Sequence, residues 1–138
     1  MTKVAVDLGP VQETLLIPLL GRAVQTQKGN GLIQDPKAVE IVNALDYDFS
    51  KWEKSRSLTG ATLRTRMYDQ DVQAFLNEHP AGTVVEIGCG LNTRFERLDN
   101  GQVRWFDLDL PDTIALRRQF FQDGPRRTML EASVLDTG

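Results

Sequence analysis

Between Val11 and Val24 the apolar positions Val11, Leu15, Leu16, Leu19, Leu20, Ala23 and Val24 recur at steps of three and four. That spacing lays a stripe along one face of a helix, with a kink predicted at Pro18. Gln27 to Gly31 reads as a turn. Asp35 followed by Pro36 then gives a cap with proline in the first helical position, opening a short helix through Val39, Ile41, Val42 and Leu45. The stretch 46–60 is polar with aromatic interruptions at Tyr47, Phe49 and Trp52. After it, Leu63, Met67, Tyr68, Val72, Phe75 and Leu76 mark a longer amphipathic helix, which His79-Pro80-Ala81-Gly82 ends.

At Thr83 the period changes. Val84-Val85-Glu86-Ile87 is a short β-branched run that stops at Gly88-Cys89-Gly90, and a short helical segment then reaches Leu98 before the Asn100-Gly101 turn. Val103 to Asp109 reads as a second strand closed by Leu110-Pro111, followed by a helix through Ile114, Leu116, Phe120 and Phe121. After Gly124-Pro125, positions 127–135 read as a third strand. Helices first and alternating β and α elements afterwards predict an α/β fold. A helical N-terminal cap occupies 1–80, and the first half of a mainly parallel, ligand-binding α/β domain occupies 81–138. A parallel sheet normally has several central strands and helices on both faces. A sheet of three strands therefore reads as truncated: the chain is a fragment, or another chain supplies the remaining strands, and the unpaired edges invite self-association.

Composition narrows the partners. A formal charge of -3 over 138 residues, with no cluster of Lys and Arg, gives no electrostatic reason for nucleic acid or an anionic membrane surface, so a small molecule is the expected partner. Cys89 is the only cysteine, which excludes an intrachain disulfide and a cysteine-rich zinc site; no metal is expected. The longest apolar run is too short to span a bilayer and the start lacks the pattern of a secretion signal, so the expected location is cytoplasmic.

The candidate chemistry sits where the helical half gives way to the α/β half. In an open parallel sheet the ligand lies beyond the C-terminal ends of the strands, and Gly88 and Gly90 allow close approach of a ligand to bare backbone there. About twenty residues later the second strand ends in Asp107 and Asp109, where a carboxylate can accept from both hydroxyls of a ribose. A nucleoside-type cofactor fits this pair of features. Thr93 stands where a dinucleotide site has its third glycine, and Glu86 precedes the loop. S-adenosylmethionine has no pyrophosphate, but its amino-acid end needs a cation for the carboxylate and an acceptor for the ammonium.

Four stretches carry a more specific likeness: Glu13 to Ala23, Asp46 to Lys51, Leu63 to Asp69, and Gly88 to Leu98 together with Phe106-Asp107-Leu108-Asp109-Leu110-Pro111. They resemble the leucine carboxyl methyltransferase family, and within it the polyketide O-methyltransferases of the tetracenomycin-biosynthesis type. The resemblance implies a Rossmann-like class I methyltransferase fold and S-adenosylmethionine as cofactor. It also implies methyl transfer to an oxygen of a small-molecule acceptor, polyketide-like or carboxylate. By the same resemblance, Gly88 and Gly90, with Glu86 and Cys89 in the same loop, lie against the cofactor's amino-acid moiety. Asp109 holds the ribose hydroxyls with Asp107 and Leu110 beside it. Arg64 or Arg66 pairs with the methionine carboxylate, Arg22 adds a second basic contact, and Asp136, ending the third strand, accepts from the adenine amino group. Asn92 departs from the aspartate often found at its position, and no residue is nominated as catalytic base.

Each assignment has a competitor. Arg64 and Arg66 suit a solvated helix face, Arg94 and Arg97 suit bracing of the loop, and Cys89 suits a small buried filler with no histidine partner. Trp52, Trp105 and Phe106 suit core packing better than a substrate pocket. Two other functions use the same features: a nicotinamide or flavin oxidoreductase, and a non-catalytic cofactor-binding module.

Overall fold

The computed structural model describes residues 3–29 and 31–136, which fall into two compact units parting between Asp69 and Gln70. In the first unit, strand β1 (Val4–Ala5) pairs in parallel with β2 (Leu45–Asp46), Val4 beside Leu45. A 3-10 turn over Gln12–Leu15 runs into helix α1 (Leu16–Lys28). The kink predicted at Pro18 does not interrupt a helix, because the α geometry begins only at Leu16. Pro18 therefore falls in the first turn, where backbone N–H groups have no intrahelical partner to lose. Gly29, at φ 66°, stops α1 in the left-handed conformation that glycine adopts without a Cβ penalty.

Helix α2 (Pro36–Ala44) starts as its sequence predicts: the Asp35 carboxylate accepts from the Ala38 N–H at 3.1 Å, and Pro36 occupies the first position. Leu16, Leu19, Leu20 and Ala23 of α1 and Ala38 and Ile41 of α2 are buried where the two helices pack together. Each large side chain contributes roughly 1.5–3 kcal/mol by leaving water. The polar stretch after β2 holds a short helix, α3 (Ser50–Glu53), and α4 (Ser57–Glu78) begins ahead of Gly60 rather than after it. Tyr47 bridges the segment, donating to Glu13 and accepting from Trp52 Nε1 at 3.0 Å.

The second unit takes the C-terminal part of α4 and then alternates: β3 (Thr83–Ile87), α5 (Arg94–Leu98), β4 (Arg104–Asp109), α6 (Pro111–Arg117) and β5 (Arg127–Glu131). The three strands are parallel in the order β3-β4-β5, with Glu86 beside Asp107 and Asp107 beside Met129. This is a Rossmann-like α/β arrangement. Val72, Phe75 and Leu76 of α4 and Phe95 and Leu98 of α5 pack on Val84, Val103 and Trp105, forming the core on one sheet face. On the opposite face Val85, Ile87 and Leu130 are exposed.

Two element boundaries differ from the sequence reading. Helix α6 ends at Arg117, and a turn carries Phe121 back into the core. Strand β5 stops at Glu131, so Asp136 does not end a strand. It lies in a following turn, where its carboxylate accepts from the Ser133 N–H at 2.8 Å. Val134 and Leu135, whose apolar character extended the predicted strand, are exposed. Among the described residues, no helix is long and apolar enough to cross a membrane.

Candidate functional site

The end of β3 and the end of β4 meet at the glycine loop. The N–H groups of Gly88 and Cys89 both donate to the Leu108 carbonyl, at 2.8 and 3.2 Å, which folds the chain over the neighbouring strand. Gly88 (φ 72°) and Gly90 (φ 51°) take left-handed conformations that residues with a Cβ adopt only at a cost. A Cβ built on Gly88 would meet no atom within 4 Å; it would project into open space in front of the loop, where a ligand can approach.

Asp109 is bound into the same turn. Its Oδ2 accepts from the Gly90 N–H at 2.9 Å and its Oδ1 from the Leu110 N–H at 2.8 Å. An ionised carboxylate has about four acceptor sites, so two backbone bonds orient it and leave capacity for donors from outside. The bare-backbone bend and the acid at the strand end thus share one place, and Leu110 stands beside them, partly exposed.

Asp107 goes elsewhere. It is fully buried, accepting from Trp105 Nε1 at 3.1 Å, Arg117 Nη2 at 2.8 Å and Arg127 Nη1 at 3.1 Å. Asp107 and Asp109, two apart, lie on the same side of the strand as Trp105; they differ in depth, Asp107 lying inside beside Trp105 while Asp109 ends the strand at the loop. Both oxygens of Asp107 are held by protein donors, so it braces the unit from inside.

Glu86 lies behind the loop, buried. Its Oε1 accepts from Arg94 Nη1 at 2.5 Å, while its Oε2 is buried without a hydrogen-bond partner among the described residues. Burial outweighs the pull of Arg94 and raises the Glu86 carboxyl from 4.5 to about 7. Cys89 is buried as well. Desolvation pushes its thiol up to about 12, so the sulfur is an uncharged filler rather than a nucleophile. Arg94 braces the loop, as does Arg97, whose Nε donates to Thr93 Oγ1 at 2.9 Å.

The basic residues named from the sequence belong to the first unit. Arg22 is buried, and its Nε donates to Asp35 Oδ2 at 2.8 Å, so this guanidinium ties α1 to the cap of α2. Arg64 and Arg66 are exposed on α4, with no ion pair among the described residues. Arg64 borders a cavity of about 420 Å³ lined also by Thr14, Ile17, Pro18 and Ser57.

Two buried arginines escaped the sequence reading. Arg117 and Arg127 are buried; Arg127 joins Asp107 to Glu96, and Arg117 reaches the loop itself. A signal was present for Arg117, which falls on the apolar stripe of its helix, three residues after Ile114 and four before Phe121.

The leucine carboxyl methyltransferase family matches residues 16–131. The tetracenomycin polyketide synthesis O-methyltransferase TcmP of Streptomyces glaucescens is 34% identical over 131 residues, covering 94% of this chain and 48% of that protein. An S-adenosyl-L-methionine-dependent methyltransferase of Gibberella zeae, dpfgK, is 31% identical over 134 residues, covering 89% and 45%. The chain spans about half the length of the curated relatives it matches.

Proposed function

Because this chain belongs to the leucine carboxyl methyltransferase family, we propose that it binds S-adenosylmethionine at the glycine loop and serves methyl transfer to an oxygen of a small-molecule acceptor, polyketide-like or carboxylate. Family membership sets the oxidoreductase alternative aside. The observation that carries the reading is the bond from the Gly90 N–H to Asp109, which brings the bare turn and the ribose-binding acid together.

The residues present fit that cofactor. Gly88 leaves open space where an amino-acid moiety can lie against backbone. Asp109 keeps acceptor capacity for two ribose hydroxyls. Arg64 or Arg66, each an exposed cation, is the candidate for the methionine carboxylate, and Asp136 remains the candidate for the adenine amino group. When bound, the cofactor supplies an electrophilic methyl on a sulfonium. The protein's work is to orient the partners and exclude water.

Calorimetric titration of the purified chain tests this. Adenosylmethionine and adenosylhomocysteine should bind with one site per chain and NAD should not. Whichever of Arg64→Ala and Arg66→Ala removes the carboxylate's partner should weaken binding roughly tenfold to a hundredfold, the worth of a charge-assisted bond. Tight NAD binding with no response to adenosylhomocysteine would overturn the proposal.

A further inference from the structure

A loop that offers its front to a ligand must still satisfy the carbonyls on its back. Gly90 and Asn92 direct theirs toward the interior, where no water can meet them at low cost. One side chain takes both. Arg117 Nη1 donates to the Gly90 carbonyl at 3.2 Å and to the Asn92 carbonyl at 2.7 Å, while Nη2 donates to Asp107 at 2.8 Å. The guanidinium is 1% exposed, and its carbon lies 4.2 Å from the centroid of the Phe121 ring. Its Nε has no hydrogen-bond partner among the described residues, so the bonds run through the two terminal nitrogens.

We propose that Arg117 is a positioning residue for the cofactor site: anchored by Asp107 and stacked on Phe121, it clamps the glycine loop from behind into the conformation that receives the ligand. The planar fork explains why arginine is needed. Lysine could pair with Asp107, but a single ammonium on a flexible stem cannot hold two carbonyls and a carboxylate in one plane. Asp107 thus serves the site without touching a ligand, since it fixes the plane of the guanidinium that holds the loop. Arg127 shares the same carboxylate but donates its other bonds to Gln122 and Glu96, away from the loop. Its loss would disturb the same buried charge cluster while leaving the loop carbonyls satisfied.

The loop part of this inference stands without ligand; its consequence for affinity rests on the adenosylmethionine reading. The test compares Arg117→Lys with Arg127→Lys, both of which keep a charge beside Asp107 and so avoid leaving it isolated. Hydrogen exchange on the ligand-free chain should show the amides of Gly88, Cys89 and Gly90 exchanging roughly tenfold faster in Arg117→Lys, with the strand amides of Phe106 and Leu108 unchanged. Adenosylhomocysteine affinity should fall by a similar factor. Arg127→Lys should lower the melting temperature but leave loop exchange and affinity as in the wild type. Equal loosening of the loop by both variants, or an Arg117→Lys effect spread evenly over loop and strands, would overturn the proposal. Should the wild type fail to bind adenosylhomocysteine, the cofactor reading falls and the exchange pattern alone decides the role of Arg117.

Discussion

Among single residues, Glu86 carries the clearest consequence of burial. Its folded pKa of about 7 stands above the ordinary 4.5 because desolvation outweighs the attraction of Arg94. A group that binds its proton more tightly in the folded state stabilises the fold fully below the unfolded pKa and loses that contribution as pH rises through the folded one. The stability of the wild type relative to Glu86→Gln should therefore decline between about pH 4.5 and pH 7, read from urea midpoints of the two proteins at each pH. A relative gain over that interval would mean that Arg94, not burial, governs the carboxyl. The residue scale is also where the sequence was least transparent. Asp107 and Asp109 look alike as letters two apart and share a strand face, and only the buried arginines around the first and the loop N–H groups on the second tell them apart. Arg22 reads as a free cation until Asp35 is seen to hold it.

At the level of elements, two glycines in helices make opposite predictions. A Cβ at Gly21 would lie 2.9 Å from the Leu58 carbonyl oxygen and 2.7 Å from Thr62 Oγ1, so α1 approaches the start of α4 closely only because that atom is missing. Gly21→Ala should destabilise by about 1–3 kcal/mol through overpacking. Gly60 lies within α4 with nothing within 4 Å of its Cβ position, so Gly60→Ala should stabilise by about 0.5–1 kcal/mol through reduced freedom of the unfolded chain. Thermal denaturation of the pair checks both signs; two shifts in the same direction would contradict the packing of α1 on α4. Elements with a long period or a cap were legible beforehand, as Asp35-Pro36 and the loop after β3 illustrate. The pairing of β1 with β2 was not, because two residues are too few to carry a period of two. The overrun of β5 has the same root: Val134 and Leu135 are apolar but exposed, and hydrophobicity without a partner face does not make a strand.

Across the whole chain, the family was legible in four contiguous stretches of likeness, and the core of the α/β half in its local order: a strand, a glycine turn, a helix, and a second strand ending in an acid. Each of those is written in contiguous residues, and the register of β3 on β4 brings them together. The buried arginines behind the loop depend on contacts between distant segments, which no short window records. The apolar sheet face bearing Val85, Ile87 and Leu130 likewise became visible only once the register was known.

In the proposed function, Asp109 grips the ribose of an adenosyl ligand at the glycine turn. Because Asp109 also fixes the loop, loss of affinity in Asp109→Ala alone cannot separate the two roles. The decisive measurement is the affinity of wild type and Asp109→Ala for adenosylhomocysteine and for its 2′,3′-dideoxy analogue. The wild type should prefer the natural ligand by about 1.5–3 kcal/mol, and Asp109→Ala should lose most of that preference. The same preference in both proteins would place the ribose away from Asp109 and contradict the account.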